Sequence, residues 1–178
     1  MSAYISGGSK SGKSMLAQRV AHAWAAGGPL YYVATMLPHD AEDAARIARH
    51  RRERAGWGFV TLERGQDILA CLDEADPLGA FLVDSVTALL ANAMFAPDGI
   101  HMDAADRVAD DLAAFVRRAP KTVLVSDFIF SDAVLYDGLT EAYRAALASV
   151  DRRMAALCDC VVEDVAGQYI VHKGDLRL

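Results

Sequence analysis

Short apolar segments alternate with longer amphipathic segments along most of the chain. The short segments are typical of buried strands, and the longer ones carry apolar residues at three- and four-residue spacing, which is typical of helices. The predicted strands span residues 3–6, 30–34, 59–62, 80–83, 122–126, 160–163 and 169–172. The predicted helices span residues 15–26, 41–54, 68–73, 86–95, 102–118 and 139–157. Because strands that alternate with helices form parallel sheets covered on both faces, we predict an α/β fold with a mostly parallel central sheet flanked by helices.

Length and composition are those of one compact domain over residues 1–178. The chain is 53% hydrophobic, which is too apolar for a disordered protein and enough for a sizeable core. The net charge of −6 argues against a general nucleic-acid-binding protein, because phosphate contacts along a nucleic acid need clustered Lys and Arg. We therefore expect no nucleic-acid partner, although one local basic stretch spans residues 46–54.

Several features suggest a cytoplasmic protein. The first predicted strand starts at residue 3, so we expect no N-terminal targeting segment. The most apolar stretch, residues 81–96, contains Asp84 and Asn92, so we expect no membrane span. The three cysteines, an odd number, suggest reduced thiols. Cys158 and Cys160 lack the spacing of metal ligands, and we interpret them as packing residues at the start of a strand.

A glycine-rich turn joins the first predicted strand to the first predicted helix. It has the complete pattern G-x-x-x-x-G-K-S and consists of Gly7, Gly8, Ser9, Lys10, Ser11, Gly12, Lys13 and Ser14. The glycines allow the backbone to approach a phosphate, and the N–H groups of residues 9–14 can converge on the anion. Lys13 is expected to contact the β- and γ-phosphates, and Ser14 to bind Mg²⁺. A turn without a ligand is the alternative, but the strand before it and the helix after it favour a P-loop nucleotide site for ATP or GTP.

Asp84 follows the apolar strand 80–83, and open α/β sheets bind their ligands at the carboxyl ends of their strands. A carboxylate at this position could hold Mg²⁺ together with Ser14, because phosphoryl transfer needs an acidic partner for the metal. The alternative is that Asp84 caps the helix that begins at Val86, a role that Ser85 could also fill.

His50 lies in the most basic part of the chain. Arg46 is four residues before it and shares its helix face, and Arg49 and Arg51 are its neighbours. Such a setting attracts phosphates and disfavours a further positive charge, which would keep the imidazole neutral and nucleophilic. The alternative interpretation is a solvated helix face.

These features together resemble the bifunctional adenosylcobinamide kinase / adenosylcobinamide-phosphate guanylyltransferase family of cobalamin biosynthesis. The similarity extends over nearly the whole chain. The matching segments are the loop 6–14, Tyr-Val-Ala-Thr at 32–35, Ala-Ala-Arg-Ile-Ala-Arg-His-Arg at 44–51, Trp57 with Thr-Leu-Glu at 61–63, Leu-Val-Asp at 82–84 with Thr87 and Asn92, Val-Leu-Val-Ser at 123–126, and Ala156 with Asp159 and Val161. The histidine after Ala-Arg-Ile is the specific part, since the phosphate loop alone is generic.

The resemblance implies a P-loop fold, a homotrimer and two reactions. In the first, a nucleoside triphosphate phosphorylates the hydroxyl group of adenosylcobinamide, a corrinoid. In the second, the enzyme takes GMP from GTP onto a histidine and passes it to the new phosphate, and His50 matches that nucleophile. Lys13 and Asp84 would complete the catalytic set. The resemblance also implies nucleotide contacts, for which the candidates are Thr35, Arg46, Arg49, Arg51 and Glu63.

The chain departs from the family between residues 127 and 152. The family usually has Asn-Glu-Val-Gly after the fifth strand, where this chain has Asp-Phe-Ile-Phe at 127–130. In the last long helix, the family's Gly and its Asn-Gln pair are replaced by Ala148 and by Asp151-Arg152. Two alternatives to a bifunctional enzyme follow: a P-loop small-molecule kinase without guanylyltransferase activity, and a nucleotide-binding paralogue without catalysis.

Overall fold

A computed structural model describes residues 1–38 and 40–176, except for the side chains of Glu42, Asp43 and Arg46. The strands in this part of the chain are β1 (Ser2–Gly7), β2 (Leu30–Ala34), β3 (Val60–Glu63), β4 (Ala80–Asp84), β5 (Phe95–Ala96), β6 (Gly99–Ile100), β7 (Thr122–Asp127), β8 (Cys160–Val165) and β9 (Gln168–Lys173). The helices are α1 (Lys13–Ala25), α2 (Ala41–Glu53), α3 (Cys71–Glu74), α4 (Val86–Met94), α5 (Ala104–Arg118) and α6 (Gly138–Leu157).

The central sheet has the strand order β3-β2-β4-β7-β1-β8-β9. All neighbouring strands in it are parallel except β9, which pairs with β8 in the antiparallel sense. The predicted α/β fold is therefore confirmed, and most predicted elements begin and end within two residues of the observed ones. Two local features differ from the prediction. A 3₁₀ turn at Ile68–Ala70 precedes the short α3, and a small β5–β6 hairpin surrounds the turn predicted between two helices.

Helices cover both faces of this sheet because alternate strand residues point to opposite sides. In β7, Leu124 belongs to one apolar cluster, while Val123 and Val125 belong to the other. Leu16, Val20 and Trp24 of α1 pack on the second of these faces, as their helical spacing predicts. Residues of α4, α5 and α6 cover the first, where the fully buried rings of Phe81 and Phe115 meet edge to face at 5.3 Å. Burial of each such side chain contributes about 1.5–3 kcal/mol.

Strand register brings the chemically important residues to one edge of the sheet. Gly7 at the end of β1 pairs with Asp127 of β7 on one side and with Asp164 of β8 on the other. Asp84 at the end of β4 pairs with Val125 of β7 and with Ala34 of β2. The phosphate loop and Asp84 therefore emerge at the same carboxyl edge, two strand spacings or about 10 Å apart in the sheet.

The cysteine side chains, Cys71, Cys158 and Cys160, are buried and unlinked. Burial raises the pKa of both the Cys71 and the Cys158 thiols to about 11. Cys160 opens β8 and packs in the core, as the sequence suggests. None of the described helices combines the length and the apolar composition that crossing a bilayer requires.

One carboxylate lies inside the protein beneath β7. Asp151 of α6 is 8% exposed, and its Oδ1 atom accepts a hydrogen bond of 2.8 Å from the Ser126 hydroxyl. Its Oδ2 atom is buried without a hydrogen-bond partner among the described residues. Burial raises the pKa of Asp151 to about 6. The charged form of this side chain therefore destabilises the folded state.

The substitution Asp151→Asn is expected to stabilise the protein more at pH 8 than at pH 5. The pKa of Asp151 is higher in the folded than in the unfolded state. The free-energy cost of burying its charged form is therefore absent below about pH 4, grows as the pH rises and is complete above about pH 6. The gain in the free energy of unfolding should be about 1 kcal/mol larger at pH 8. Urea unfolding at both pH values measures it, with Asp73→Asn, an exposed site, as the charge control. Equal gains at both pH values would show that Asp151 titrates normally.

Candidate active site

The phosphate loop, residues 7–14, connects β1 to α1 and is shaped by two of its glycines. Gly12 has φ +117° at the N-terminal cap of α1, a backbone conformation that other residues rarely adopt. A Cβ atom at Gly7 would lie 2.6 Å from the carbonyl oxygen of Asp164, so only glycine allows the loop and β8 to approach so closely. The cap residue Gly12 has no side chain, and the Lys13 N–H at the start of α1 donates a long hydrogen bond of 3.4 Å to the Ser11 hydroxyl. A phosphate bound at this end of the helix would replace that contact.

The remaining loop residues differ in part from expectation. A Cβ atom at Gly8 would meet nothing within 4 Å, and a left-handed conformation occurs instead at Lys10, with φ 60°. The structure therefore gives no steric reason for glycine at position 8. Some N–H groups of residues 9–14 also bond within the loop, since Ser11 donates to the Gly8 carbonyl at 3.2 Å. Ser9 is exposed, and Ser14 is half-buried in the first turn of α1.

Lys13 is almost buried and already has partners. Its Nζ atom lies 2.7 Å from Oδ1 of Asp127 and donates a hydrogen bond of 3.1 Å to the Gly8 carbonyl. Its side chain therefore folds back over the loop toward the end of β7. Asp127 was not among the predicted site residues.

Asp84 is held at the end of β4 by a tyrosine. The Tyr32 hydroxyl donates to Oδ2 of Asp84 at 2.8 Å. Burial, and next the nearby Asp84 carboxylate, raise the pKa of Tyr32 above its ordinary range, so the hydroxyl stays protonated and remains a donor. The capping alternative belongs to Ser85, whose Oγ atom accepts from the N–H of Ala88 at 3.2 Å. Asp84 is thus left for another role.

Thr35, which follows β2, is bonded to the backbone next to Asp84. Its side chain is fully buried, its hydroxyl donates to the Ser85 carbonyl at 2.7 Å, and it accepts from the Ser85 N–H at 2.7 Å. Asn92 of α4 donates to the Thr35 carbonyl at 2.8 Å. Thr35 therefore fixes the backbone that follows Asp84, and its hydroxyl does not face solvent.

A cavity of about 480 Å³ brings several predicted residues together. His50, Arg51, Glu63 and Asp84 all line it. The other lining residues are Tyr32, Ala34, Met36, Leu37, Pro38, Ala44, Ile47, Ala48, Arg54, Arg64 and Ser85. The phosphate loop is not part of this wall and lies farther along the same sheet edge. Within the described residues, the structure thus joins the candidate nucleophile to the candidate metal ligand.

Two contacts fix the end of α2 on the sheet. Arg51 forms an ion pair with Glu63 of β3. Arg54, only 7% exposed, lies 4.0 Å above the Tyr32 ring and donates to the Thr61 hydroxyl at 3.2 Å. Since Tyr32 also holds Asp84, the position of His50, one helical turn before Arg54, is coupled to that of Asp84.

Negative charge lies close to the positive charge of the arginines around His50. Glu53 Oε1 lies 3.6 Å from Nε of Arg49, and Glu53 Oε2 lies 3.5 Å from Nδ1 of His50. Nδ1 of His50 is buried and has no hydrogen-bond partner among the described residues, so Glu53 is the nearest described carboxylate to this nitrogen but does not bond to it. The Arg46 side chain lies outside the described residues. Glu53 was not among the residues predicted from the basic pattern around His50.

The oxygen donors at this edge suit a nucleotide-bound magnesium ion. Ser14 and Asp84 offer hydroxyl and carboxylate oxygens, which Mg²⁺ prefers. Among the described residues, no group of three or more His, Cys, Asp or Glu side chains is placed to hold a metal. That composition fits an ion that keeps most of its ligands as water and phosphate and binds the protein through one or two side chains.

The fold and the loop at its carboxyl edge define a P-loop nucleotide-binding protein. The model of the family described as cobinamide kinase / cobinamide phosphate guanyltransferase matches residues 3–171, and the chain belongs to this family. The protein is therefore an enzyme of the kinase and guanylyltransferase class.

Two curated relatives agree with this membership. The bifunctional adenosylcobalamin biosynthesis protein CobU of Salmonella typhimurium (strain LT2) is 34% identical, covering 92% of this chain and 94% of that protein. CobP of Pseudomonas aeruginosa (strain PAO1), with the same description, is 33% identical and covers 96% of both chains. Among solved structures, the flagellar accessory protein FlaH of Methanocaldococcus jannaschii is similar with a TM-score of 0.46 and 16% identity, covering 98% of this chain and 78% of that chain.

The substitution Asp84→Asn is expected to leave the fold intact and to reduce metal-dependent turnover about 10²-fold or more. An amide has the same shape and still accepts from Tyr32, but it lacks the charge that favours Mg²⁺. Turnover as a function of Mg²⁺ concentration measures the effect, and thermal unfolding checks the fold. Asp98→Asn, at an exposed carboxylate paired with His101, is the matched control. Wild-type turnover with an unchanged Mg²⁺ requirement would remove Asp84 from the metal site.

Proposed function

We propose that the protein phosphorylates adenosylcobinamide and then transfers GMP from GTP to adenosylcobinamide phosphate, giving adenosylcobinamide-GDP. The observation that carries this proposal is the cavity that His50 shares with Asp84, in a chain that matches the family over residues 3–171. A kinase alone needs no histidine at this position. A covalent guanylyl intermediate needs a nucleophilic side chain beside the nucleotide phosphates, and a neutral imidazole can supply it.

In the kinase step, the corrinoid hydroxyl attacks the γ-phosphorus of a nucleoside triphosphate, its proton passes to solvent, and the bond to the β-phosphate oxygen breaks. Lys13 and the N–H groups at the start of α1 would neutralise the charge that moves onto the leaving diphosphate. Ser14 and Asp84 would hold Mg²⁺, which supplies further charge neutralisation on the phosphates when bound.

In the guanylyl step, Nε2 of His50 attacks the α-phosphorus of GTP and pyrophosphate leaves. Glu53, 3.5 Å from Nδ1, would stabilise the positive charge that the imidazole acquires. Arg51 and Arg49 are candidate contacts for the departing phosphates. The phosphate oxygen of the corrinoid then attacks the same phosphorus, the bond to His50 breaks, and the neutral imidazole is restored.

The two alternatives drawn from the sequence run against the family membership, and each predicts a different experimental result. A kinase without guanylyltransferase activity would transfer the γ-phosphate and form no labelled enzyme. A nucleotide-binding paralogue would bind GTP or ATP without turnover. The homotrimer that the resemblance implies and the cytoplasmic location that the cysteines suggest also stay proposals, and light scattering of the purified protein tests the first of them.

Wild-type protein incubated with α-labelled GTP and Mg²⁺ is expected to retain label after denaturing electrophoresis, and His50→Ala is expected to retain none. The bond formed is a phosphoramidate, so the label should be lost in acid and survive in base, unlike a serine ester. Label from γ-labelled GTP should not remain on the protein, because the γ-phosphate leaves with pyrophosphate.

His172→Ala is the matched control, since His172 on β9 is exposed and pairs with Glu163. It should be labelled like wild type. If folded wild-type protein retains no α-label, the guanylyltransferase half of the proposal fails, and the kinase-only alternative is then tested by phosphate transfer to the corrinoid.

A further inference from the structure

The ammonium group of Lys13 is already largely neutralised by the protein. It has three hydrogen-bond donors, and two of them point to Asp127 Oδ1 at 2.7 Å and to the Gly8 carbonyl at 3.1 Å. The Lys13 side chain is only 9% exposed, so solvent screens this ion pair less than it would a pair on the surface.

The Asp127 backbone is fixed at this position. Its N–H donates to the Thr87 hydroxyl of α4 at 2.8 Å, and the next N–H, of Phe128, donates to the Gly7 carbonyl at 2.9 Å. Asp127 therefore belongs to the same rigid strand edge as the loop, and it opens the stretch in which this chain departs from its family.

We propose that Asp127 is the counter-ion that competes with nucleotide phosphate for Lys13, and so sets the affinity of the enzyme for its nucleotide. The proposal rests on the assignment of residues 7–14 as the phosphate site. A β- or γ-phosphate that reaches Lys13 meets the negative charge of Asp127 a few ångströms away. In a partly buried site the repulsion between these charges is much stronger than in water.

This arrangement has a consequence for turnover. When the nucleotide product leaves, Lys13 does not become a buried unpaired charge, because Asp127 is in place to pair with it. A ready partner in the empty enzyme lowers the affinity for product as well as for substrate. Asp127 should thus favour release over retention of the nucleotide.

A substitution that removes the charge of Asp127 and keeps the shape of its side chain tests the counter-ion proposal. Asp127→Asn is expected to bind ATP on the order of tenfold more tightly than wild type in calorimetric titration, both with Mg²⁺ and with EDTA. Asp127→Ser gives a second, smaller neutral side chain and should shift the affinity in the same direction. Asp132→Asn removes a charge in the following segment, where Asp132 pairs with Arg144, and should leave the affinity unchanged.

Lys13→Ala separates failure of this proposal from failure of the site. If wild type binds no ATP, or if Lys13→Ala binds it as wild type does, the phosphate-loop assignment fails. If Lys13→Ala loses binding while both folded Asp127 variants bind no more tightly than wild type, the counter-ion proposal is overturned. Weaker binding of Asp127→Asn in Mg²⁺ would also overturn it and would make Asp127 a metal ligand.

Discussion

The parallel pairing of β1 between β7 and β8 is the constraint on which the site depends. Gly7 is in register with Asp127 on one side and with Asp164 on the other, and a Cβ atom there would lie 2.6 Å from the Asp164 carbonyl oxygen. This close approach fixes where the chain leaves the sheet and turns into α1. Because the loop starts from a strand buried on both faces, the point at which its backbone turns is fixed, which the proposed phosphate site requires.

A second connection places the candidate nucleophile relative to that edge. Tyr32 donates to Asp84 through its hydroxyl and supports the Arg54 guanidinium on its ring at 4.0 Å. The end of α2, and with it His50, is therefore tied to the strand that ends at Asp84. For the proposed pair of reactions, this coupling would hold the candidate nucleophile at a fixed position relative to the candidate metal ligand.

Sequence patterns predicted the parts of the molecule that follow from local chemistry. The strand-loop-helix context of residues 7–14 and the alternation of elements are both local, and the structure agrees with them. The sequence left the cap of α4 open between Asp84 and Ser85, and the structure gives it to Ser85. Partners across elements were missed, because periodicity says nothing about which side chains meet. The Lys13–Asp127 pair and the Arg54–Tyr32 contact both join residues far apart in the chain. A tyrosine in a buried parallel strand was an available signal, since its hydroxyl needs a partner.

The most direct test of the account is a crystal structure with a non-hydrolysable GTP analogue and Mn²⁺, which can replace Mg²⁺ and be located by anomalous scattering. We expect a triphosphate bound by residues 7–14 and a metal at about 2–2.3 Å from the Ser14 hydroxyl and from an Asp84 oxygen or a water bound to Asp84. A nucleotide bound away from the loop, or a metal that neither residue approaches, would contradict it.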